Sequence, residues 1–179
     1  LTGSKRAVAN NVVNYGDLYV HGSDSVRPVV DFLKNHGNAV FDGPVDFGSP
    51  GIADQLDGSF TISGSMPLPP TVRVYGGSLT GQGSLGTIDH RGGWVAPGNP
   101  TGVLSVGSYF VDDDHGGIWA RIGGPNPVTD FGVLRVNSTA QAPPVVLVSP
   151  LSGFSPRLAD TFDVMTYTAR NSSSFSGDV

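Results

Sequence analysis

The chain has 179 residues, 26 of them glycine and 14 proline, with 14 % charged residues, a net charge of −5 and no cysteine. The lack of cysteine excludes a disulfide framework and cysteine-type zinc sites. The net charge and the scattered arginines exclude nucleic acid as the main partner, because neutralising phosphates needs clustered Lys and Arg. No stretch approaches the roughly eighteen consecutive apolar residues of a membrane span.

Helix formers are scarce along the whole chain. All fifteen acidic residues are Asp, and Lys occurs only at Lys5 and Lys34. Frequent Gly, Val, Thr and Ser favour an all-β chain with many turns. The chain runs from Leu1 to a C-terminal Ser-Gly-Asp-Val, so we expect a fragment of a longer precursor, in which a missing signal peptide carries little weight.

The first predicted elements share one recurring sequence, Gly-x-apolar-x-apolar-x-Gly. It spans residues 16–22, 37–43 and 58–64. Alternation over the middle positions is typical of a half-buried strand, and a fixed spacing of about twenty residues is typical of a solenoid. The sequence therefore predicts a right-handed parallel β-solenoid with Gly16, Gly37 and Gly58 at matching corners. The side chains expected to point inward are Leu18, Val20, Ala39, Phe41, Phe60 and Ile62.

Asparagine precedes two of these corners, at Asn14 and Asn35. Asn at equivalent turns of stacked coils can form a ladder of side-chain amides. The third copy has Leu56 and Asp57 before its glycine, so we expect the ladder to break there. Further short strands are predicted at 26–30, 45–47 and near Ile52, with the prolines at corners or edges.

The second half keeps the glycine-rich pattern without a clean period. A proline-rich turn at 66–70 is followed by a predicted strand at 72–75. We expect residues 1–107 to form solenoid coils and residues 108–179 to form further β coils or a β-sandwich-like cap, continuous with the first part. A cap is the preferred reading, because a solenoid needs atypical ends that stop further stacking.

Residues 75–179 carry a resemblance to a known family. The runs Gly77-x-Leu-x-Gly-x-Gly and Gly93-x-Val-x-Pro-Gly-x-Pro-x-Gly-x-Leu-x-Val-x-Gly resemble the passenger-associated repeats of bacterial autotransporters and related adhesin-like surface proteins. Later segments match in order with two departures. Ala159 stands where the family usually has Gly before Asp160, and Pro143-Pro144 stands where a connection of small residues is usual. The resemblance implies a β-helical scaffold at the cell surface or outside the cell, and it implies no particular chemistry.

On these grounds the chain is expected to be a non-catalytic structural or adhesive module, such as a stalk, passenger or filament segment, without a required cofactor. Its expected partners are neighbouring domains or copies of the same protein, and glycans. One alternative is a glycan-binding or glycan-cleaving module on the same scaffold. The aromatic residues available for its sugar platform are Tyr15, Tyr19, Tyr75, Trp94, Tyr109 and Trp119, of which the two tryptophans are more typical of a core. The other is a glycosylated extracellular filament subunit.

The densest charge cluster is Asp112, Asp113 and Asp114, followed by His115. Several carboxylates close together can ligate Ca²⁺, so this is the candidate metal site. The spacing lacks the EF-hand pattern, and Asp and Gly are also the residues of an exposed turn. Both readings are open, with the turn expected between strands at 109–111 and 118–122.

Paired carboxylates of a glycosidase would lie on neighbouring coils. The candidates are Asp42, Asp46, Asp54 and Asp57, and we expect Asp46 and Asp57 on adjacent coils. Lys34 and Arg73 are the cations available to a lyase. Asn137 and Asn171 begin Asn-x-Ser/Thr sequences and are glycosylation sites if the source is a eukaryote.

Overall fold

A computed structural model describes residues 8–64, 66, 70–112, 115–151 and 153–171. Secondary structure in this part of the chain is entirely β, with strands at Val8–Asn14 (β1), Asp17–His21 (β2), Val29–Asn35 (β3), Asn38–Asp42 (β4), Asp46–Gln55 (β5), Ser59–Ile62 (β6), Thr71–Val74 (β7), Ser78–Gly81 (β8), Gly83–His90 (β9), Trp94–Pro97 (β10), Gly102–Val111 (β11), Gly117–Ile122 (β12), Gly132–Ala140 (β13), Val146–Pro150 (β14) and Met165–Arg170 (β15). Among these residues, no helix is long and apolar enough to cross a membrane.

The strands form two parallel sheets that share the coils of one solenoid. The odd-numbered strands make an eight-stranded sheet in chain order, and the even-numbered strands make a seven-stranded sheet. Each coil therefore contributes one strand to each sheet, and every strand pairs with its counterpart from the next coil. The predicted parallel β-solenoid is confirmed, while its right-handed sense stays a prediction.

The core lies between the two sheets, as the alternation in the repeats predicts. The inward residues of β4 and β6 are at most 1 % exposed: Ala39, Phe41, Phe60 and Ile62. Leu18 and Val20 on β2 are only partly buried, because β2 is at the edge of its sheet. Burying each large apolar side chain stabilises the fold by roughly 1.5–3 kcal/mol.

The recurring glycines stack directly on one another at the corners. A Cβ atom on Gly37 would lie 2.1 Å from the carbonyl oxygen of Gly16, and one on Gly58 would lie 2.2 Å from that of Gly37. The backbone amide of Asn38 donates to Gly16 and that of Ser59 donates to Gly37, at 2.8 and 3.0 Å. The predicted alignment of residues 16, 37 and 58 is confirmed, and the glycine is required because no other residue permits so close an approach.

The second half continues the solenoid. Strands β11, β13 and β15 extend the eight-stranded sheet and β12 and β14 extend the seven-stranded sheet, all in parallel. The described residues therefore do not form the sandwich-like cap that was preferred, and the boundary placed at residue 107 falls inside β11. A second apolar cluster forms where Phe154 and Phe162 pack edge-to-face and Phe162 meets Phe131.

Two strands of the eight-stranded sheet are longer than the sequence predicts. The short strands expected at 26–30 and 45–47 overlap only the starts of β3 and β5, and Ile52 lies within β5; these strands reach Asn35 and Gln55. Pro50 is inside β5 and exposed, at a shift in register between β3 and β5. A bulge of this kind tolerates proline because it leaves the regular ladder.

Candidate functional site

A buried ladder of side-chain amides fixes the corner from which the candidate site is built. The Nδ2 atom of Asn14 donates to Oδ1 of Asn35, and Nδ2 of Asn35 donates to Oε1 of Gln55, both at 2.7 Å. All three side chains are at most 9 % exposed. The ladder is confirmed, but the prediction that the third coil breaks it is wrong, because Gln55 and not Leu56 or Asp57 takes the place of asparagine.

The same ladder also holds the backbone of the corner. Asn35 Nδ2 lies 2.9 Å from the carbonyl oxygens of both Gly37 and Ser59. Through Asn35, the corner glycine Gly37 of one coil is thus linked to Ser59, the first residue of β6 on the next coil. This bonding sets the position of the strands β2, β4 and β6 that follow.

The outer face of those three strands carries a set of polar side chains in register. We refer to these side chains together as the polar face; they are Asp17, Tyr19, His21, Asn38, Asp42 and Ser59. Strand pairing places Asp17 beside Asn38 and Asn38 beside Ser59. Asn38 Nδ2 donates to Oδ1 of Asp17, and Ser59 Oγ donates to Oδ1 of Asn38, each at 3.0 Å.

Asp42 is the hub of a second group on the polar face. Its Oδ2 accepts from the Tyr19 hydroxyl at 2.9 Å and lies 3.0 Å from Nδ1 of His21, while its Oδ1 accepts from Ser63 Oγ at 3.0 Å. The hydrogen bond from Tyr19 contributes most to lowering the pKa of Asp42, followed by those from Ser63 and His21. The same bond raises the pKa of Tyr19. Asp42 is therefore a carboxylate at neutral pH, and it fixes the Tyr19 ring.

Exposed aromatic rings lie on β2 and at the corner that precedes it. Tyr19 is 64 % exposed, and its ring is within 3° of parallel to that of His21. At the corner, Tyr15 is 76 % exposed and stacks on His36 of the next coil, with ring centroids 4.7 Å apart. Two exposed tyrosine rings are thus held in place by neighbouring side chains.

The eight-stranded sheet carries acidic and basic side chains that pair with each other. Register places Asp54 beside Arg73 and Arg73 beside Asp89. Arg73 forms a two-point contact with Asp54, whose side chain is only 8 % exposed. A bidentate pair of this kind is a strong, geometrically specific contact. Arg73, one of the two cations considered for a lyase, is therefore engaged in an ion pair with Asp54.

The glycosidase candidates do not meet in one place. Asp42 is on the seven-stranded sheet and Asp54 on the eight-stranded sheet. Asp46 and Asp57 were expected on adjacent coils, which is wrong, because Asp46 begins β5 and Asp57 follows the end of the same strand. The bulge near Pro50 lengthens β5 and separates these two residues.

The candidate Ca²⁺ site lies partly outside the described residues, since they do not include Asp113 and Asp114. Asp112 follows the end of β11, and its Oδ2 is 3.4 Å from Nη1 of Arg91. Arg91 also contacts Asp89 at 2.8 Å and lies over the Tyr75 ring. In the described ranges, no group of three or more acidic or histidine side chains is placed to hold a metal ion.

Both candidate glycosylation sites are on the surface. Asn137 is exposed on β13 beside a shift in its register with β11, and Asn171 is exposed just after β15. The backbone amide of Asn171 donates to Ala140. Both asparagines are therefore reachable, and modification of either stays a prediction.

Comparison with known proteins identifies no relative of this chain. No family model, curated protein or solved structure matches the chain. The polar face is thus the best-defined candidate site on structural grounds alone. Its members other than Tyr19 recur at the period of the glycines, which is the signal in the sequence that could have located it.

Proposed function

We propose that the chain is a non-catalytic structural and adhesive module of a larger extracellular or cell-surface protein. The observation that carries this proposal is the unbroken parallel stacking of the coils through β15. Stacked parallel sheets with glycine-packed corners make an elongated, stiff element, because each coil is bonded to its neighbours along its whole length. Such an element can hold an adhesive surface away from a cell.

Several features support this role over a catalytic one. Asp54 and Asp89 on the eight-stranded sheet form ion pairs with Arg73 and Arg91, and Asp17 on the seven-stranded sheet takes part in a side-chain ladder. The resemblance of residues 75–179 to autotransporter passenger repeats points in the same direction. The partners proposed with this role are neighbouring domains or further copies of the protein.

Two measurements test the proposal. Antibodies against this chain should label intact cells that produce it, and external protease should remove the labelling. Labelling only after the cells are made permeable would contradict an extracellular role. Incubating the purified chain with soluble polysaccharides should release no new reducing ends, and their appearance would contradict the non-catalytic part.

A further inference from the structure

We propose that the polar face binds a neutral, linear polysaccharide whose chain runs along the stacking direction of the coils. This rests on the adhesive part of the proposed function and names its ligand class. The binding elements are the ring of Tyr19, the column from Asp17 to Ser59, and the Tyr15–His36 stack at the corner that precedes the column in the chain.

The spacing of the coils matches a repeating ligand. Neighbouring strands of a sheet are about 4.8 Å apart, which is close to the length of one sugar residue in an extended chain. Asp17, Asn38 and Ser59 lie in register on three successive strands. They offer a carboxylate, an amide and a hydroxyl at that spacing. Successive sugars of one chain therefore meet successive hydrogen-bonding groups.

The aromatic side chains supply the apolar part of the contact. A sugar presents a C–H face to an aromatic ring while its hydroxyls reach polar groups around the edge, and tyrosine suits surfaces that are apolar at one end and wet at the other. The Tyr19 ring is held by its bond to Asp42, and the Tyr15 ring is held by His36. Rings that are already positioned lose little freedom on binding, which favours affinity.

The charges of the face select for a neutral ligand. Asp17 and Asp42 carry the formal charges of the face, and the whole chain has a net charge of −5. A sulfated or uronic-acid polysaccharide would place like charges against these carboxylates, which is unfavourable. Hydroxyl groups, by contrast, can donate to the carboxylates and accept from Asn38.

The test is a calorimetric titration of the whole chain with neutral hexasaccharides: cellohexaose, laminarihexaose, mannohexaose and N-acetylchitohexaose. We expect saturable binding of at least one of them at millimolar concentration. Tyr19→Ala should weaken that binding about tenfold. Tyr19→Phe, which keeps the ring and loses the bond to Asp42, should weaken it less. Tyr19 is exposed, and melting curves check that both variants fold.

Tyr167→Ala is the matched control, because Tyr167 is 50 % exposed on β15 of the other sheet. It should leave binding unchanged. No binding of any neutral hexasaccharide, equal binding by Tyr19→Ala, or tighter binding of a sulfated hexasaccharide would each overturn the inference. Since surface labelling of cells does not depend on this face, loss of binding with intact labelling overturns the ligand and not the structural role.

Discussion

The molecule contains two side-chain ladders built on the same coils, one buried and one exposed. Asn14, Asn35 and Gln55 stack inside the corner, and Asp17, Asn38 and Ser59 stack on the outer face a few residues further on. The hydrogen bonds have similar lengths in both. The two ladders differ in their exposure to solvent, because Asn35 is fully buried and Asn38 is exposed.

This difference separates stability from recognition. An amide buried in the corner has no water to replace a lost partner, so each bond there is costly to break. On the outer face water competes for every group, so the bonds add little to stability and orient the side chains. The corner ladder therefore holds the coils together, and the polar face is free to serve a ligand.

The largest loss of stability is expected at the corner glycines, where the backbones of neighbouring coils are in direct contact. Gly37→Ala places a methyl group 2.1 Å from the Gly16 carbonyl oxygen. We expect a loss of at least about 3 kcal/mol in the free energy of unfolding, because two coils must move apart. Gly16→Ala is the control, since a Cβ atom there would have nothing within 4 Å. Urea denaturation of both variants measures the difference, and equal stability would contradict the stacking.

Replacing one member of each ladder sharpens the comparison itself. Asn35→Ala leaves buried partners on two neighbouring coils unsatisfied, so we expect a loss of about 2 kcal/mol. Asn38→Ala removes bonds of similar length from the exposed face and should change stability by less than about 0.5 kcal/mol. Thermal or urea unfolding of the pair checks this. A similar loss in both variants would mean that burial does not distinguish the ladders.

A third effect depends on pH and on a histidine further along the buried corner. His90 aligns with Val74, which aligns with Gln55. Its Nε2 lies 3.2 Å from the Gly93 carbonyl oxygen, which can only accept, so the neutral ring carries its proton there. Nδ1, 2.6 Å from the Tyr109 hydroxyl, then accepts from it. Burial lowers the pKa of His90 below its usual 6.5, despite the opposing influence of Gly93, Gly92 and Asp89.

Below about pH 6.5 the unfolded chain therefore binds a proton that the folded chain resists, and stability falls as the pH is lowered. The slope from this one group is at most about 1.4 kcal/mol per pH unit. Urea midpoints between pH 7.5 and 5 measure it. His90→Gln should remove this component, and an unchanged pH profile in that variant would assign the dependence to other groups.

The smallest effect is expected outside both ladders, in the segment between β14 and β15. Ala159 has a φ of 77°, in the region that favours glycine. Ala159→Gly should raise stability by about 0.5 kcal/mol, because relief of the strained backbone outweighs the added freedom of the unfolded chain. Differential scanning calorimetry detects the shift. A lower melting temperature would show that the conformation is not strained.

Much of the first half could be predicted because its repeat is regular. The period of the glycines fixes the register of β2, β4 and β6, and alternation fixes which side chains face inward. Gln55 was missed because it lies 20 and not 21 residues after Asn35, and because glutamine replaces asparagine. The connection before β5 (43–45) is four residues shorter than the one before β3 (22–28), and the bulge in β5 restores only three of them.

The candidate site was harder to predict than the fold. The bonds of Asp42 with His21 and Ser63 join residues 21 apart, so the period contains them. The bond from Tyr19 crosses to the next coil with a different offset and follows no repeat. The second half lacks a clean period. Its strands continue the solenoid by pairing in parallel, but no fixed spacing in the sequence shows which residues pair.

The most direct test of the account is the distance between the two ends of the seven-stranded sheet. Nitroxide labels at Tyr19→Cys and Leu147→Cys are straightforward, because the chain has no other cysteine. Strands β2 and β14 are six pairing steps apart, so a parallel stack predicts about 29 Å between the two backbones. Double electron–electron resonance should give one narrow distribution near that distance, allowing for the length of the labels. A mean distance below about 20 Å, which is four steps, would contradict the parallel stack.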